Sequence, residues 1–386
     1  MYMDILFWTS VFVIFWANIG YNLSLLVINR IFKLKKIKKD YNYLPTVTIM
    51  IVAHNEEKVI NQKMLNVLNI DYPNEKLEIL VSSDNSTDKT NEIVKEVIRN
   101  NIDRRIVLYE ASERKGKTNA QNEAAKLVKS EILVMTDANA MLEKNSIREI
   151  VSAFTDKNIV YVTGRLSYSN SQDNTTSKSE NTYWNLDLRI RDIESRLQTI
   201  TAGNGALYAC RTAEYVYFEP IKCHDSSMPL YYALHGKKAI ANHDAIAYEK
   251  AGESVEDEFK RKVRMNRRIL TSILPSIKIL NVFKCRWFTY FYLGHRTSRY
   301  LLWLMHIIAL ISSGLLMMKN YLYLFAFLIQ ISIYIIALLK PLLKINNKLI
   351  NFIYYYCMTI IAQIIGVKNI LTGKAKPFWE KAESTR

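Results

Sequence analysis

Four long runs of apolar residues lie at the two ends of the chain, and the stretch between them is mixed. Ile5 to Ile28 is a run of 24 positions without a charge. About 20 such residues cross the hydrocarbon core of a bilayer as a helix, so this run predicts a membrane anchor. A cleaved leader fits less well, because no basic residue precedes the run and the run is long. Tyr300–Met318 and Tyr321–Leu339 are each 19 residues long and uncharged, with only Lys319 and Asn320 between them, which predicts a helical hairpin. Leu349–Val367 is a third uncharged stretch of 19 residues, interrupted by the polar Asn351 and Gln363.

From Pro45 the pattern becomes short apolar runs alternating with amphipathic ones. Val47–Val52, Leu77–Val81, Ile106–Tyr109 and Ile132–Met135 read as strands, the first β-branched and compact as in a buried parallel sheet. Lys58–Asn69, Thr90–Asn100 and Ala120–Lys129 read as the helices between them. Strands alternating with helices predict an α/β fold with a doubly wound, mostly parallel sheet. In such sheets the ligand lies beyond the carboxyl ends of the strands. Residues 166–200 are polar and partly helical, Ala206–Tyr248 holds a second set of short elements, and Glu256–Leu270 reads as a basic helix. The expected organisation is an anchor over 1–30, a basic linker over 31–45 and a catalytic domain over 46–270. An interfacial segment over 271–299, membrane helices over 300–371 and a basic tail over 372–386 complete it.

Charge orients this arrangement. Arg30, Lys33, Lys35, Lys36, Lys38 and Lys39 follow the first apolar run, with Asp40 the only acid among them. The positive-inside rule places this cluster and the domain after it in the cytosol, in a multi-pass protein of the cell's inner (plasma) membrane. The formal charge of +16 could suggest nucleic acid. Much of the basic excess borders apolar segments instead, where anionic lipid is the natural partner, and no nucleic-acid-binding signature accompanies it. The tail from Lys368 has five basic residues against two acids, which favours the cytosol. One anchor plus three further spans would put it outside, so Leu349–Val367 is expected to be interfacial or re-entrant. Cys210, Cys223, Cys285 and Cys357 are scattered without a metal-binding or disulfide spacing, as in a reducing compartment.

Each strand is followed by polar residues of a useful kind. His54-Asn55-Glu56-Glu57 follows the first, Asp84-Asn85-Ser86-Thr87-Asp88 the second, Arg114-Lys115-Gly116-Lys117 the third and Asp137-Ala138-Asn139 the fourth. Any one of these could be an ordinary turn or helix cap. Four at one sheet edge point to a shared site. A nucleotide-diphospho-sugar suits it, because Mg2+ or Mn2+ neutralises a diphosphate with few protein ligands. Asp137 and Asn139, two apart at a strand end, can face one ion, while Lys117 adds a point charge. Asp84 and Glu56 suit hydrogen bonds to a base or ribose.

These segments resemble the family-2 glycosyltransferases of the GT-A fold, relatives of cellulose and hyaluronan synthases. The opening motif appears as Val52-Ala53-His54-Asn55-Glu56, the acidic motif as Ser83 to Asp88, the Gly-Lys loop as Gly116-Lys117 and the D-x-D as Asp137-Ala138-Asn139. Gly203-Asn204-Gly205-Ala206 is similar to the acceptor loop, and Cys223-His224-Asp225 to the segment ending in the general base. The resemblance implies donor or acceptor contacts for Ala53, Asn55, Glu56, Asp84, Lys117, Gly203, Asn204, Gly205 and Arg264. It also implies a metal on Asp137 and Asn139, and Asp225 as the base. Ser83, Asn139 and His224 stand where the family usually has acids. Arg261 and Met265 replace the Gln and Trp of the processive Q-x-x-R-W, which counts against polymerisation. Gly373 and the tail Trp379-Glu380-Lys381 resemble the family's cytosolic ending.

The reading is an inverting transfer from a nucleotide sugar, most simply a UDP-sugar, to a lipid-linked or polysaccharide acceptor at the cytosolic membrane face. Two alternatives stay open. One is a processive polysaccharide synthase, and the other a catalytically inactive, nucleotide-sugar-binding membrane protein.

Overall fold

The computed structural model describes residues 1–169, 187–250, 252, 255–343 and 347–375. The polar stretch 170–186 and the tail from 376, with Trp379, lie outside the described residues. The chain forms two compact units. One comprises Lys33–Glu253 with Asn281–Phe288, and the other Met1–Phe32, Ser254–Leu280 and Thr289–Ala375.

The first unit is built on an eight-stranded sheet: β1 Val47–Ala53, β2 Leu77–Ser83, β3 Arg105–Glu110, β4 Ile132–Asp137, β5 Met141–Leu142, β6 Ile159–Tyr168, β7 Leu207–Arg211 and β8 Lys238–Glu249. Their order across the sheet is β3-β2-β1-β4-β7-β6-β8-β5. The strands β3, β2, β1 and β4 run parallel, as the alternation of elements predicts. β7 then enters antiparallel to both β4 and β6, whereas β6 and β8 pair in parallel.

β1 is buried along its whole length, which its uninterrupted β-branched and apolar sequence allows. Alternate side chains supply two cores, because successive strand residues point to opposite faces. Ile49, Ile51, Ile79, Val81 and Val134 pack with Met64, Val67, Val94 and Val97 of the helices Ile60–Leu68 and Thr90–Asn100. On the other face Met50, Val52, Leu80 and Met135 pack with Ala120 and Ala124 of the helix Lys117–Ala125 and with Tyr161, Tyr208 and Tyr232. The sheet narrows at Gly164, where the β6–β8 register shifts. A Cβ there would stand 2.6 Å from the carbonyl oxygen of Ala245 and 2.8 Å from Leu207 Cδ2.

The second unit is helical. Tyr2–Phe32, Tyr321–Leu343 and Lys348–Leu371 are long and apolar enough to cross a membrane. A fourth apolar segment is bent by 61° between Trp287–Tyr300 and Leu302–Leu316. The break thus falls at Leu301, on the first arm of the expected hairpin. The Leu349–Val367 stretch, expected to be interfacial or re-entrant, lies inside an unbroken helix. The expected basic helix Glu256–Leu270 is also divided, into Val255–Met265 and Ile269–Ile273. At the division Asn266 lies directly against Gly366, so close that a Cβ on Gly366 would meet Asn266 Cβ at 2.7 Å. Polar side chains join the apolar helices. His306 hydrogen-bonds the hydroxyls of Tyr334 (2.9 Å) and Tyr356 (2.8 Å), and Asn18 Nδ2 donates to Tyr356 Oη at 3.2 Å.

Because the obstacle at Gly164 is backbone, which cannot swing aside, Gly164→Ala should destabilise the sheet unit by about 1–3 kcal/mol, the usual cost of overpacking. The measurement is the thermal denaturation midpoint of the full chain in detergent, which should fall. An unchanged midpoint would show that β6 and β8 can separate freely there.

Candidate active site

The parallel ladder brings the strand ends level. Ala53 pairs with Ser83, Ser83 with Glu110 and Val52 with Asp137. The chain turns immediately after β1 and β2 through Asn55 (φ 54°) and Asn85 (φ 52°), a left-handed conformation that asparagine tolerates better than most residues. The two turns are tied together. Thr87 N donates to Asn55 Oδ1 (2.8 Å), Asn55 N to Ser86 Oγ (3.1 Å) and Glu56 N to Thr90 Oγ1 (2.8 Å).

Asp84 links these turns to the next loop. Its carboxylate accepts from the backbone N–H groups of Lys115 (3.0 Å) and Gly116 (2.9 Å), and Gly116 takes a φ of 91° that favours glycine. Asp84 therefore fixes the loop that starts the helix carrying Lys117. Glu56 is buried as well.

Lys117 reaches back across the sheet edge and makes an ion pair with Asp137 Oδ1. Gly205 completes the group. A Cβ at this position would lie 3.2 Å from Lys117 Nζ, 3.3 Å from Asp137 Oδ2 and 4.0 Å from Asp225 Oδ2. Four separate segments thus converge on one small space, with a side chain missing where a ligand would need room. The Gly203–Ala206 loop is seated by its neighbours. Gly203 N donates to the Asp225 carbonyl at 2.8 Å, and the Asn204 amide is spent inward on Gly164, Ala206 and Leu207. Among the expected site residues, Lys117, Asp137, Gly205 and Asp225 come together. Asn55, Asp84, Gly203 and Asn204 shape the loops around them, with Ala53 the last residue of β1. Asn139 is half-buried two residues beyond Asp137, and Arg264 belongs to the helical unit, on Val255–Met265.

Charges in this space depend on one another. Burial pushes the Lys117 ammonium down, but Asp137 and Asp225 outweigh it and hold its pKa above the usual lysine value. Burial raises the pKa of Asp225, which Lys117 opposes and Asp137 reinforces. His224, the residue beside Asp225, faces a different network. Its Nδ1 lies 3.0 Å from Gln121 Oε1 and its Nε2 lies 2.8 Å from Tyr215 Oη. Burial and then Lys117 lower its pKa to about 3, so it is neutral at physiological pH.

No group of three or more His, Cys, Asp or Glu side chains gathers around one point among the described residues. A hard divalent cation that takes most of its oxygens from a diphosphate and water needs no such cage. The Asp137 Oδ2 and Asp225 Oδ2 atoms flanking the Gly205 space are ligands of the right type. One residue escapes the pattern of strand-end motifs. Lys63 sits on the apolar face of the helix Ile60–Leu68, with Ile60, Met64 and Val67, and is fully buried. A lysine in a core position of an amphipathic helix was the available signal.

Residues 48–214 match the family described as glycosyl transferase family 2. The chain carries a family-2 glycosyltransferase domain. A β-monoglucosyldiacylglycerol synthase of Nostoc sp. is 30% identical over 170 residues, 44% of this chain and 36% of that protein. A poly-β-1,6-N-acetyl-D-glucosamine synthase of Staphylococcus aureus is 26% identical over 156 residues, 40% of this chain and 34% of that protein. These matches span about a third of the curated relatives' length. The fold of the mannosyltransferase PcManGT from Pyrobaculum calidifontis, solved with GDP-Man and Mn2+, superposes with a TM-score of 0.73 at 20% identity, covering 96% of this chain and 99% of that one. The glycosyltransferase domain therefore has the GT-A fold, the α/β class expected from its strand–helix alternation.

The buried imidazole makes a prediction for this domain. His224→Ala takes the imidazole from Gln121 Oε1 and leaves Tyr215 Oη only Asn122 Oδ1 at 3.3 Å, and should cost about 1–3 kcal/mol of stability. Its lowered pKa also sets a sign. Between the ordinary value of 6.5 and about 3, the unfolded chain binds a proton that the folded His224 refuses, so its contribution is present above pH 6.5 and is lost as pH falls through this window. Unfolding followed against pH should therefore show a shallower acid-side decline in His224→Ala. An identical slope would remove His224 from the acid response.

Proposed function

We propose that this protein transfers a sugar from a nucleotide-diphospho-sugar, most simply a UDP-sugar, to a lipid-linked or glycan acceptor at the cytosolic face of a membrane, with inversion at the anomeric carbon. The observation that carries this reading is the meeting of Lys117, Asp137 and Asp225 around the bare Cα of Gly205. Asp225 serves as the general base. It takes the proton from the acceptor hydroxyl as that oxygen forms its bond to the anomeric carbon, and the nucleoside diphosphate departs with the electron pair of the broken bond. Burial favours this role by raising the carboxylate's proton affinity toward the working pH.

Asp137, with Asn139, would hold Mg2+ or Mn2+, which when bound offsets the charge of the diphosphate. Lys117 offers a further positive charge to it. Ala53, Asn55 and Glu56 lie on the nucleoside side, where Asp84 acts by fixing the Lys115–Gly116 backbone. Gly203, Asn204 and Gly205 form the acceptor side. A lipid acceptor is supported by the printed name of the Nostoc relative and by the apolar helices. The altered Q-x-x-R-W region favours single transfers over chain growth.

The test is turnover of a panel of sugar nucleotides by the full chain in lipid nanodiscs, with Mn2+ and diacylglycerol or glycolipid acceptors. Asp225→Asn keeps size and hydrogen bonding, and should lower kcat on the order of 10²–10⁴-fold with donor affinity nearly intact. Near-normal turnover of Asp225→Asn would move the base elsewhere. Asp137→Ala should abolish metal-dependent turnover, and unchanged activity at the same metal optimum would overturn its assignment.

A further inference from the structure

Lys63 is a charged side chain that no part of the proposed chemistry uses, yet it lies wholly inside the glycosyltransferase domain. Its Nζ donates to Thr136 Oγ1 at 3.0 Å and also to the carbonyl oxygen of Ala140. These two acceptors bracket Asp137-Ala138-Asn139, one on each side. Thr136 Oγ1 in turn donates to the Ala206 carbonyl at 2.7 Å, at the end of the Gly203–Ala206 loop. One turn along the same helix, Asn66 grips the outgoing chain through both atoms of its amide. Its Nδ2 donates to Leu142 O and its Oδ1 accepts from Leu142 N, both at 2.8 Å.

A simple packing role does not require a lysine here. An unbranched apolar side chain would fill the volume, so what the lysine adds is its two hydrogen bonds. What an apolar residue cannot do is tie Thr136 to Ala140, or hold the Thr136 hydroxyl so that its hydrogen points to Ala206. Burial lowers the Lys63 ammonium to about 7, opposed by Asp137 and Glu249. The position thus carries an electrostatic cost.

We propose that Lys63 is a positioning residue for donor binding, which sets the Asp137–Asn139 segment against the Gly203–Ala206 loop through its bridge from Thr136 to Ala140. The inference rests on the reading of Asp137 as the residue that meets the metal–diphosphate. Lys63 touches neither donor nor metal. It acts through the backbone it fastens, as outer partners of a metal site do elsewhere, where their loss typically weakens metal binding about 10–100-fold.

The experiment compares the full-length wild type with Lys63→Met in detergent. Mn2+ binding in the presence of UDP, and separately of GDP, is read by electron paramagnetic resonance, and the denaturation midpoint is read in parallel. The wild type is measured first. Should it bind Mn2+ with neither nucleotide, the proposed function fails, whatever Lys63 does. Given wild-type binding, Lys63→Met should stay folded at the assay temperature and bind the Mn2+–nucleotide about 10–100-fold more weakly. Unchanged affinity overturns the inference. A loss of affinity that only follows a fall in the midpoint also overturns it, since that is a stability effect. If Lys63→Met does not fold, Thr136→Val keeps the lysine and its bond to Ala140 but removes the hydroxyl that accepts from Lys63 and donates to Ala206. It should show the same weakened binding, and normal binding by that variant overturns the proposal.

Discussion

The hydrogen-bond ladder between β1 and its two parallel neighbours is the constraint from which the site follows. Parallel strands cannot be joined by a tight turn, so each must be followed by a crossover that returns to the far edge. With Ala53, Ser83 and Asp137 ending almost level, the chain leaves the sheet at nearly the same height each time. The first residues of every crossover are consequently neighbours in space while being dozens of residues apart in sequence. Slipping the register by one residue would exchange the side chains that fill the two cores, so the packing in effect guards the site geometry.

On that platform the side chains divide into those that face the open space and those that keep the platform still. Lys117, Asp137 and Asp225 are of the first kind, and their charges balance only as a group. Asp84, Asn55, Asn204 and His224 are of the second. Each uses its hydrogen-bonding atoms on the protein, and of these only His224 is a sequence neighbour of a member of the first kind. Polar residues at the edge of an α/β sheet can therefore be invariant requirements of the fold without touching a ligand.

Much of this was legible in the sequence because parallel strands write a strong local signal. Val47–Val52, Leu77–Val81, Ile106–Tyr109 and Ile132–Met135 each fall within a residue or two of an observed strand. The apolar runs likewise correspond to long helices. Hydropathy does not specify a strand's partner, so the insertion of β7 antiparallel between β4 and β6 could not be read from it. Nor could the bend at Leu301 or the division at Asn266, because both depend on what packs alongside. Asp84 and Lys63 were opaque for a further reason. A carboxylate that holds two backbone amides and a carboxylate that holds a ligand have the same letter, and an ammonium buried on carbonyl and hydroxyl oxygens looks in sequence like a surface lysine.

The link between Asn18 and Tyr356 joins an early apolar helix to a late one, 338 residues further along the chain. During synthesis the early helix emerges with its amide still lacking the tyrosine, and the whole sheet unit is made before that partner emerges. Until then the Asn18 side chain can turn only to its own backbone, where Nδ2 also meets Ile14 O at 2.8 Å. The helical unit is thus the last part of the protein able to mature, since closing it requires the ribosome to have passed Tyr356. A nascent chain halted before that point would carry a finished sheet and an unfinished bundle.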